Sequence, residues 1–179
     1  MHRLFVAIRP SAIILSNISA IMSGVEGARW QRDDQLHITL RYIGEVDQPM
    51  AQDVAAALAR IAFAPFDVAL SGLGAFARRG RLDALWAGVT PRDPMERLHR
   101  KIDHACVRCG LAPEGRAYLP HLTLARFGKV AGSPDEFLAR HAGLASPPFA
   151  VEEFGLFESE LGREGSTYHL VERYPARSF

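Results

Sequence analysis

His37-Ile38-Thr39-Leu40 recurs further along the chain as His121-Leu122-Thr123-Leu124, and the fold follows from reading the two stretches together. With seven His and four Thr in 179 residues, chance places a Thr two positions after a His roughly 0.2 times. Here it happens twice. Each copy runs on through Leu to an Arg and an aromatic, Arg41-Tyr42 in the first and Arg126-Phe127 in the second, which marks a weak internal duplication. Leu36 to Ile43 and Leu119 to Phe127 are rich in apolar, β-branched and aromatic residues and predict two buried strands. Residues two apart on a strand point to the same face. His37 and Thr39 therefore share a face, backed by Ile38 and Leu40; His121 and Thr123 share another, backed by Leu122 and Leu124.

A lone His-x-Thr on a strand is more often a satisfied core pair than a site. Two copies in matching contexts point to chemistry. Strands facing each other across a cleft would bring two imidazoles and two hydroxyls to one point, a set suited to phosphoryl transfer. Near neutrality one imidazole of a pair is neutral and serves as general base, while the other is protonated and serves as general acid. The hydroxyls donate to non-bridging phosphate oxygens and hold the group between the two nitrogens. Such a design requires no metal and no other cofactor.

The composition sets bounds on the partners. A 48% hydrophobic content suffices for a core in one domain or two small lobes. A net charge of +1 gives no global attraction to polyanions, so any nucleic-acid contact must be local. Two cysteines fit a reducing cytosol better than a disulfide-stapled secreted chain, so a cytoplasmic protein is expected. Arg9-Pro10 and Ser16-Asn17 interrupt the apolar start, which argues against a signal peptide, and no stretch is long and apolar enough to span a membrane.

In chain order, the pattern predicts a strand to Ile8, then a helix opened by Pro10-Ser11 with Ile14, Leu15, Ile18, Ile21 and Met22 on one face. Asp47 to Phe63 reads as a second helix, ended by Pro65. Phe66 to Phe76 and Leu82 to Val89 read as strands joined by the loop 77–81, whose Arg78, Arg79 and Arg81 are either a solvated tip or contacts to phosphates of a bound ligand. Pro91 to Gly110 predicts a third helix with Leu98, Ile102, Ala105, Cys106 and Cys109 on its apolar face. Cys106 and Cys109 lie in its last turn and read as core residues, not as a redox or zinc pair. His99 and His104 read as surface or boundary residues. A short helix within 132–143, a strand over Phe149 to Glu158 and a last strand over Ser166 to Tyr174 complete an α+β chain. His141 on that helix and His169 on the last strand are taken as structural.

Over nearly its whole length the chain resembles the two-histidine phosphoesterases, and within them the RNA 2′,3′-cyclic phosphodiesterases, also known as LigT-like 2′-5′ RNA ligases. The resemblance covers Arg3-Leu4-Phe5-Val6-Ala7-Ile8 with Pro10, Arg29-Trp30, and Thr39-Leu40-Arg41-Tyr42-Ile43-Gly44-Glu45-Val46. It continues with Gly72-Leu73-Gly74-Ala75-Phe76, Leu85-Trp86-Ala87-Gly88-Val89 and Pro120-His121-Leu122-Thr123-Leu124-Ala125-Arg126, and closes with Leu156-Phe157-Glu158-Ser159 and Gly165 to Tyr168. Tyr42-Ile43 and Tyr118-Leu119-Pro120 depart from the family's usual residues in the pocket wall. The resemblance implies one domain over residues 1–179, with two pseudo-symmetric lobes, each an antiparallel sheet backed by helices, and a cleft between them. It further implies hydrolysis of an RNA terminal 2′,3′-cyclic phosphate to a 2′-phosphate, with 2′-5′ ligation as the reverse reaction. His37 would be the proton donor and His121 the proton acceptor, two groups that titrate as a coupled system. Thr39 and Thr123 would bind the phosphate oxygens and Arg126 would stabilise developing charge. Tyr42 or Phe127 would stack on a base, or pack in the core as an aromatic on a strand equally does. The partner is an RNA 3′ end or an oligonucleotide carrying a cyclic phosphate, with no membrane or protein partner implied. A monomer is the default state. The alternatives are a phosphodiesterase for another 2′-linked or cyclic nucleotide, and a non-catalytic RNA-end binding module.

Overall fold

The two motif strands lie side by side at the centre of a nine-stranded antiparallel sheet in the computed structural model, which describes residues 1–163 and 165–177. The elements in chain order are β1 (His2–Ile8), α1 (Ala12–Ser19), β2 (Ala28–Trp30), β3 (Ile38–Val46), α2 (Gln48–Leu58), β4 (Phe66–Arg78) and β5 (Arg81–Thr90). They continue with α3 (Arg92–Arg108), β6 (His121–Phe127), α4 (Asp135–Arg140), β7 (Phe149–Val151), β8 (Glu153–Gly162) and β9 (Gly165–Pro175). The strand order β7-β4-β5-β6-β3-β1-β8-β9 divides into two four-stranded halves. They meet at a single residue pair, Ile38 with Leu122, while β2 pairs with the far end of β6. This is the α+β, two-lobed architecture expected from the sequence, with the two halves drawn from one continuous strand order.

Helix placement follows the apolar stripes. In α3, Met95, Leu98, Ile102, Ala105 and Cys106 are buried, and the helix lies on β3 with α2 beside it. Helix α2 starts where the Asp47 carboxylate accepts the Met50 amide at 3.0 Å, with Pro in its first turn. Ile14, Leu15 and Ile18 are the buried residues of α1. Cys106 is fully buried with its thiol pushed up to about 11 by desolvation, and both cysteines are free. Their place at the end of α3 fits core packing.

Four expectations are corrected. Helix α2 ends at Leu58, well short of Phe63, because residues beyond it drop into turn and irregular backbone that seats Phe63 against Phe66 and Phe154. The β4–β5 connection shrinks to the two residues Arg79-Gly80, both with positive φ, the backbone that a tight two-residue hairpin requires. The strand expected over Phe149 to Glu158 is two strands at opposite sides of the sheet: β7 pairs with β4, and after Glu152 the chain enters β8, which pairs with β1. His99 is buried rather than peripheral. Its Nδ1 donates to the Leu40 carbonyl at 2.7 Å, and its ring stacks on Tyr118 at 4.2 Å.

Candidate active site

Each motif histidine stands where a sheet half begins. His121 opens β6 and His37 immediately precedes β3. His37 Nδ1 lies 2.6 Å from the Gln35 carbonyl oxygen, and His121 Nδ1 lies 2.6 Å from that of Leu119. A carbonyl oxygen only accepts, so in both rings Nδ1 carries the proton and the neutral imidazole keeps its lone pair on Nε2. Gln35 is itself fixed, accepting the Arg32 amide at 3.0 Å and donating to the Ser166 carbonyl at 2.8 Å.

Aromatic rings hold both imidazoles in matching ways. His37 packs against Phe5 (centroids 4.9 Å apart) and meets Tyr168 edge-on at 5.1 Å. His121 meets Phe76 edge-on at 5.0 Å and Trp86 at 6.0 Å. Gly74 faces the Trp86 indole across the β4–β5 pair, where a Cβ would lie 2.2 Å from the ring, so only glycine leaves the indole its place. Phe5, Tyr168, Phe76 and Trp86 were not legible as wall residues in the motifs. They come from neighbouring strands, and nothing local to His37 or His121 signals them.

The pair Ile38–Leu122 fixes how the motifs face one another. In its antiparallel register, His37 falls across from Thr123 and Thr39 across from His121. All four side chains are half-buried on the same face of the sheet. The two strands run in opposite directions away from this point, so the residues after each motif lie at opposite ends of the cleft.

A bulge in each motif strand decides what those residues are. On β3 the register with β1 passes from Thr39–Ala7 to Arg41–Val6, leaving Leu40 as the extra residue. On β6 the register with β5 passes from Thr123–Trp86 to Ala125–Leu85, leaving Leu124 as the extra residue. Strict alternation would bring Arg41 and Ala125 to the cleft. The bulges bring Tyr42 and Arg126 instead. Tyr42 and Arg126, each five residues past its motif histidine, are thus the equivalent positions of the duplication, although residue type alone matches Arg41 with Arg126. Tyr42 is exposed, and its hydroxyl accepts from Arg3 Nε at 2.8 Å. Phe127, being one residue past Arg126, points the other way and is 6% exposed in the core. It offers no face for a base, which corrects the stacking expected of it.

Burial and charge act on the imidazoles together. Desolvation pushes His37 down to about 4, and the Arg126 guanidinium, His121 and Arg9 push in the same direction against the raising effect of the Gln35 carbonyl. His121 is lowered as well, first by burial and then by Arg126, against the Leu119 carbonyl. Arg126 therefore acts electrostatically on both rings. Its one ion-pair partner among the described residues is Asp83, at 3.9 Å. His37, Thr39, His121, Thr123 and Arg126 are thus gathered on one face, Tyr42 stands at one end of the cleft, and Phe127 is outside it. Two imidazole Nε2 atoms with hydroxyls beside them can pass a proton in and another out across a small anionic group.

Comparison with known proteins agrees with this geometry. Residues 18–163 match the 2'-5' RNA ligase superfamily. An RNA 2',3'-cyclic phosphodiesterase of Aeropyrum pernix is 33% identical over 149 residues, 82% of this chain and 85% of its own. A crystal structure of a phosphoesterase superposes with a TM-score of 0.83 at 25% identity, covering 99% of both chains. The E. coli LigT structure complexed with 3'-AMP superposes with a TM-score of 0.78 at 25% identity, again over 99% of both chains. With a family match that spans most of its length and includes both histidine motifs, the chain belongs to the 2'-5' RNA ligase superfamily.

Proposed function

We propose that this protein hydrolyses the terminal 2′,3′-cyclic phosphate of RNA to a 2′-phosphomonoester without a metal, using His37 and His121 as paired acid and base. The observation that carries the reading is the matched anchoring of the two Nδ1 atoms on backbone carbonyls, which leaves two Nε2 atoms for proton transfer. The name of the Aeropyrum pernix relative and the 3'-AMP bound to E. coli LigT support a ribose phosphate as the substrate class.

In the proposed step, water attacks phosphorus as the bond from phosphorus to the 3′ oxygen breaks. The water proton passes to His121 Nε2, and a proton on His37 Nε2 passes to the departing 3′ oxygen. Phosphate remains on the 2′ oxygen. The cyclic diester carries one negative charge, which the Thr39 and Thr123 hydroxyls and the Arg126 guanidinium meet as it shifts onto the non-bridging oxygens. Tyr42, at the far end of the cleft from Arg126, supplies a ring for the terminal base. A 5′-hydroxyl in place of water would attack the same phosphorus and leave a 2′-5′ linkage, the ligation reaction, but the concentration of water favours hydrolysis. The free cysteines fit a cytoplasmic setting for this reaction.

The depressed imidazoles shape the pH dependence. Both groups sit below the usual 6.5 of a histidine in the free protein, so the form with one proton on the pair is most abundant on the acid side of neutrality. A bound anion raises both groups and draws that proton in. The expected kcat/KM profile for an RNA ending in a cyclic phosphate is a bell with its maximum below about pH 6.5, falling as pH rises because the acid loses its proton. EDTA should leave the curve unchanged. A maximum above about pH 7, or loss of turnover with chelator, would contradict the paired-imidazole reading.

A further inference from the structure

We propose that the tip of the β4–β5 hairpin, with Arg78 and Arg81, joins Arg29 in a phosphate-binding track that holds the RNA strand on the 5′ side of its reacting end. The inference rests on the RNA cyclic phosphodiesterase reading of the site and extends it from the terminal nucleotide to the chain behind it.

Strand register places these arginines. Gly88, Trp86 and Ala84 on β5 pair with His121, Thr123 and Arg126, so they lie on the cleft face. Continued alternation would place Leu82 there next. The β4–β5 pairing passes instead from Phe76–Ala84 to Ala77–Leu82, which makes Asp83 a bulge residue. Leu82 then turns to the core, where it packs, and the cross-strand pair Arg78–Arg81 returns to the cleft face. Arg29 on β2 pairs directly with Arg126 and so shares its face. From His121 the track runs to Arg126, with Arg29 beside it on the β2 side, and on along β5 to the Arg78–Arg81 pair. The distance from Gly88 to Arg81 along β5 is about 23 Å at the usual strand rise, enough for a few nucleotides.

The charges on this track are uncommitted. Among the described residues no ion pair or side-chain hydrogen bond engages Arg29, Arg78, Arg79 or Arg81, and all four are exposed. At the opposite end of the cleft Arg3 is already engaged, donating to the Tyr42 hydroxyl, and it stands across the β1–β3 ladder from Glu45. A polyanion with its reacting end between the histidines therefore meets unengaged arginines in the direction of the hairpin tip. In a chain of net charge +1, this concentration on one arm of the cleft is a local feature, not a reflection of overall charge.

The test compares a 2′,3′-cyclic mononucleotide with an octanucleotide ending in the same cyclic phosphate, using wild type, an Arg78→Ala/Arg81→Ala variant and an Arg78→Lys/Arg81→Lys variant. Wild type should favour the octanucleotide in kcat/KM at low salt by on the order of tenfold, and the alanine variant should lose most of that advantage. Mononucleotide turnover, which does not reach the tip, checks that the alanine variant is folded. The lysine variant should keep most of the advantage, and the salt slope for the octanucleotide should flatten by about 1.4 in the alanine variant, at roughly 0.7 per phosphate contact. A wild type with no length advantage, or an alanine variant that retains it, overturns the track while leaving the reading of the site intact. Failure of wild type on both substrates overturns the site reading and the track together.

Discussion

His37→Ala and His121→Ala are each expected to lower kcat for a cyclic-phosphate RNA end by about 10²–10⁴-fold, the contribution usual for a positioned general acid or base. The double variant should be little worse than the singles, because the two groups act on one step. Thr39→Val and Thr123→Val remove a hydrogen bond and leave the proton transfer in place, so their losses should be smaller. A substrate with sulfur in place of the 3′ oxygen separates the roles. Its leaving group needs no proton, so it should restore much of the rate to His37→Ala and none to His121→Ala. Burial and Arg126 lower the proton affinity of both rings in the free protein, and a bound anion would raise it. Rescue of His121→Ala instead would exchange the assignments without disturbing the pair.

The second large effect is on stability. Arg41 is 8% exposed, and its guanidinium meets Asp103 (Nε to Oδ1 2.9 Å) and Glu114 (3.2 Å) while donating to the Tyr42 and Ala112 carbonyls. Asp103 lies on α3, so this one side chain ties the β3 bulge to the helix behind it. Two neighbours serve the same bulge: Tyr118 donates its hydroxyl to the Thr39 carbonyl at 3.0 Å, and His99 donates to Leu40. Arg41→Met keeps most of the volume but leaves Asp103 largely buried without its cation. Unfolding in urea should show a loss of about 3–5 kcal/mol, the usual cost of removing one partner from a buried pair. A loss under about 1 kcal/mol would mean the pair is solvated and the bulge is held by other contacts.

Legibility in the sequence depended on the scale of the pattern. The repeated His-x-Thr carried the two strands, their shared face and the pair of titrating groups, because period-two alternation over a few residues is a strong local signal. The residues just beyond each motif are less legible. A bulge adds one residue without a sequence mark, so which of Arg41 and Tyr42, and which of Arg126 and Phe127, faces the cleft is fixed only by the ladders. His99 looked peripheral because its partner, the off-ladder Leu40 carbonyl, exists only once β3 bulges. The apolar run from Phe149 read as one strand because periodicity does not show that a chain leaves one edge of a sheet and enters another. The rings around the imidazoles are long-range contacts, visible only when β1, β4, β5 and β9 are placed.

The most direct measurement of the central claim is product identity. Purified protein treated with EDTA is incubated with a short RNA ending in a 2′,3′-cyclic phosphate, beside His37→Ala and His121→Ala, and the 2′- and 3′-phosphate products are resolved. The expected result is a 2′-phosphate from the wild type, made in the absence of metal and reduced by at least about a hundredfold in either variant. A 3′-phosphate product, or a rate that survives removal of one histidine, would contradict paired acid–base catalysis at this site.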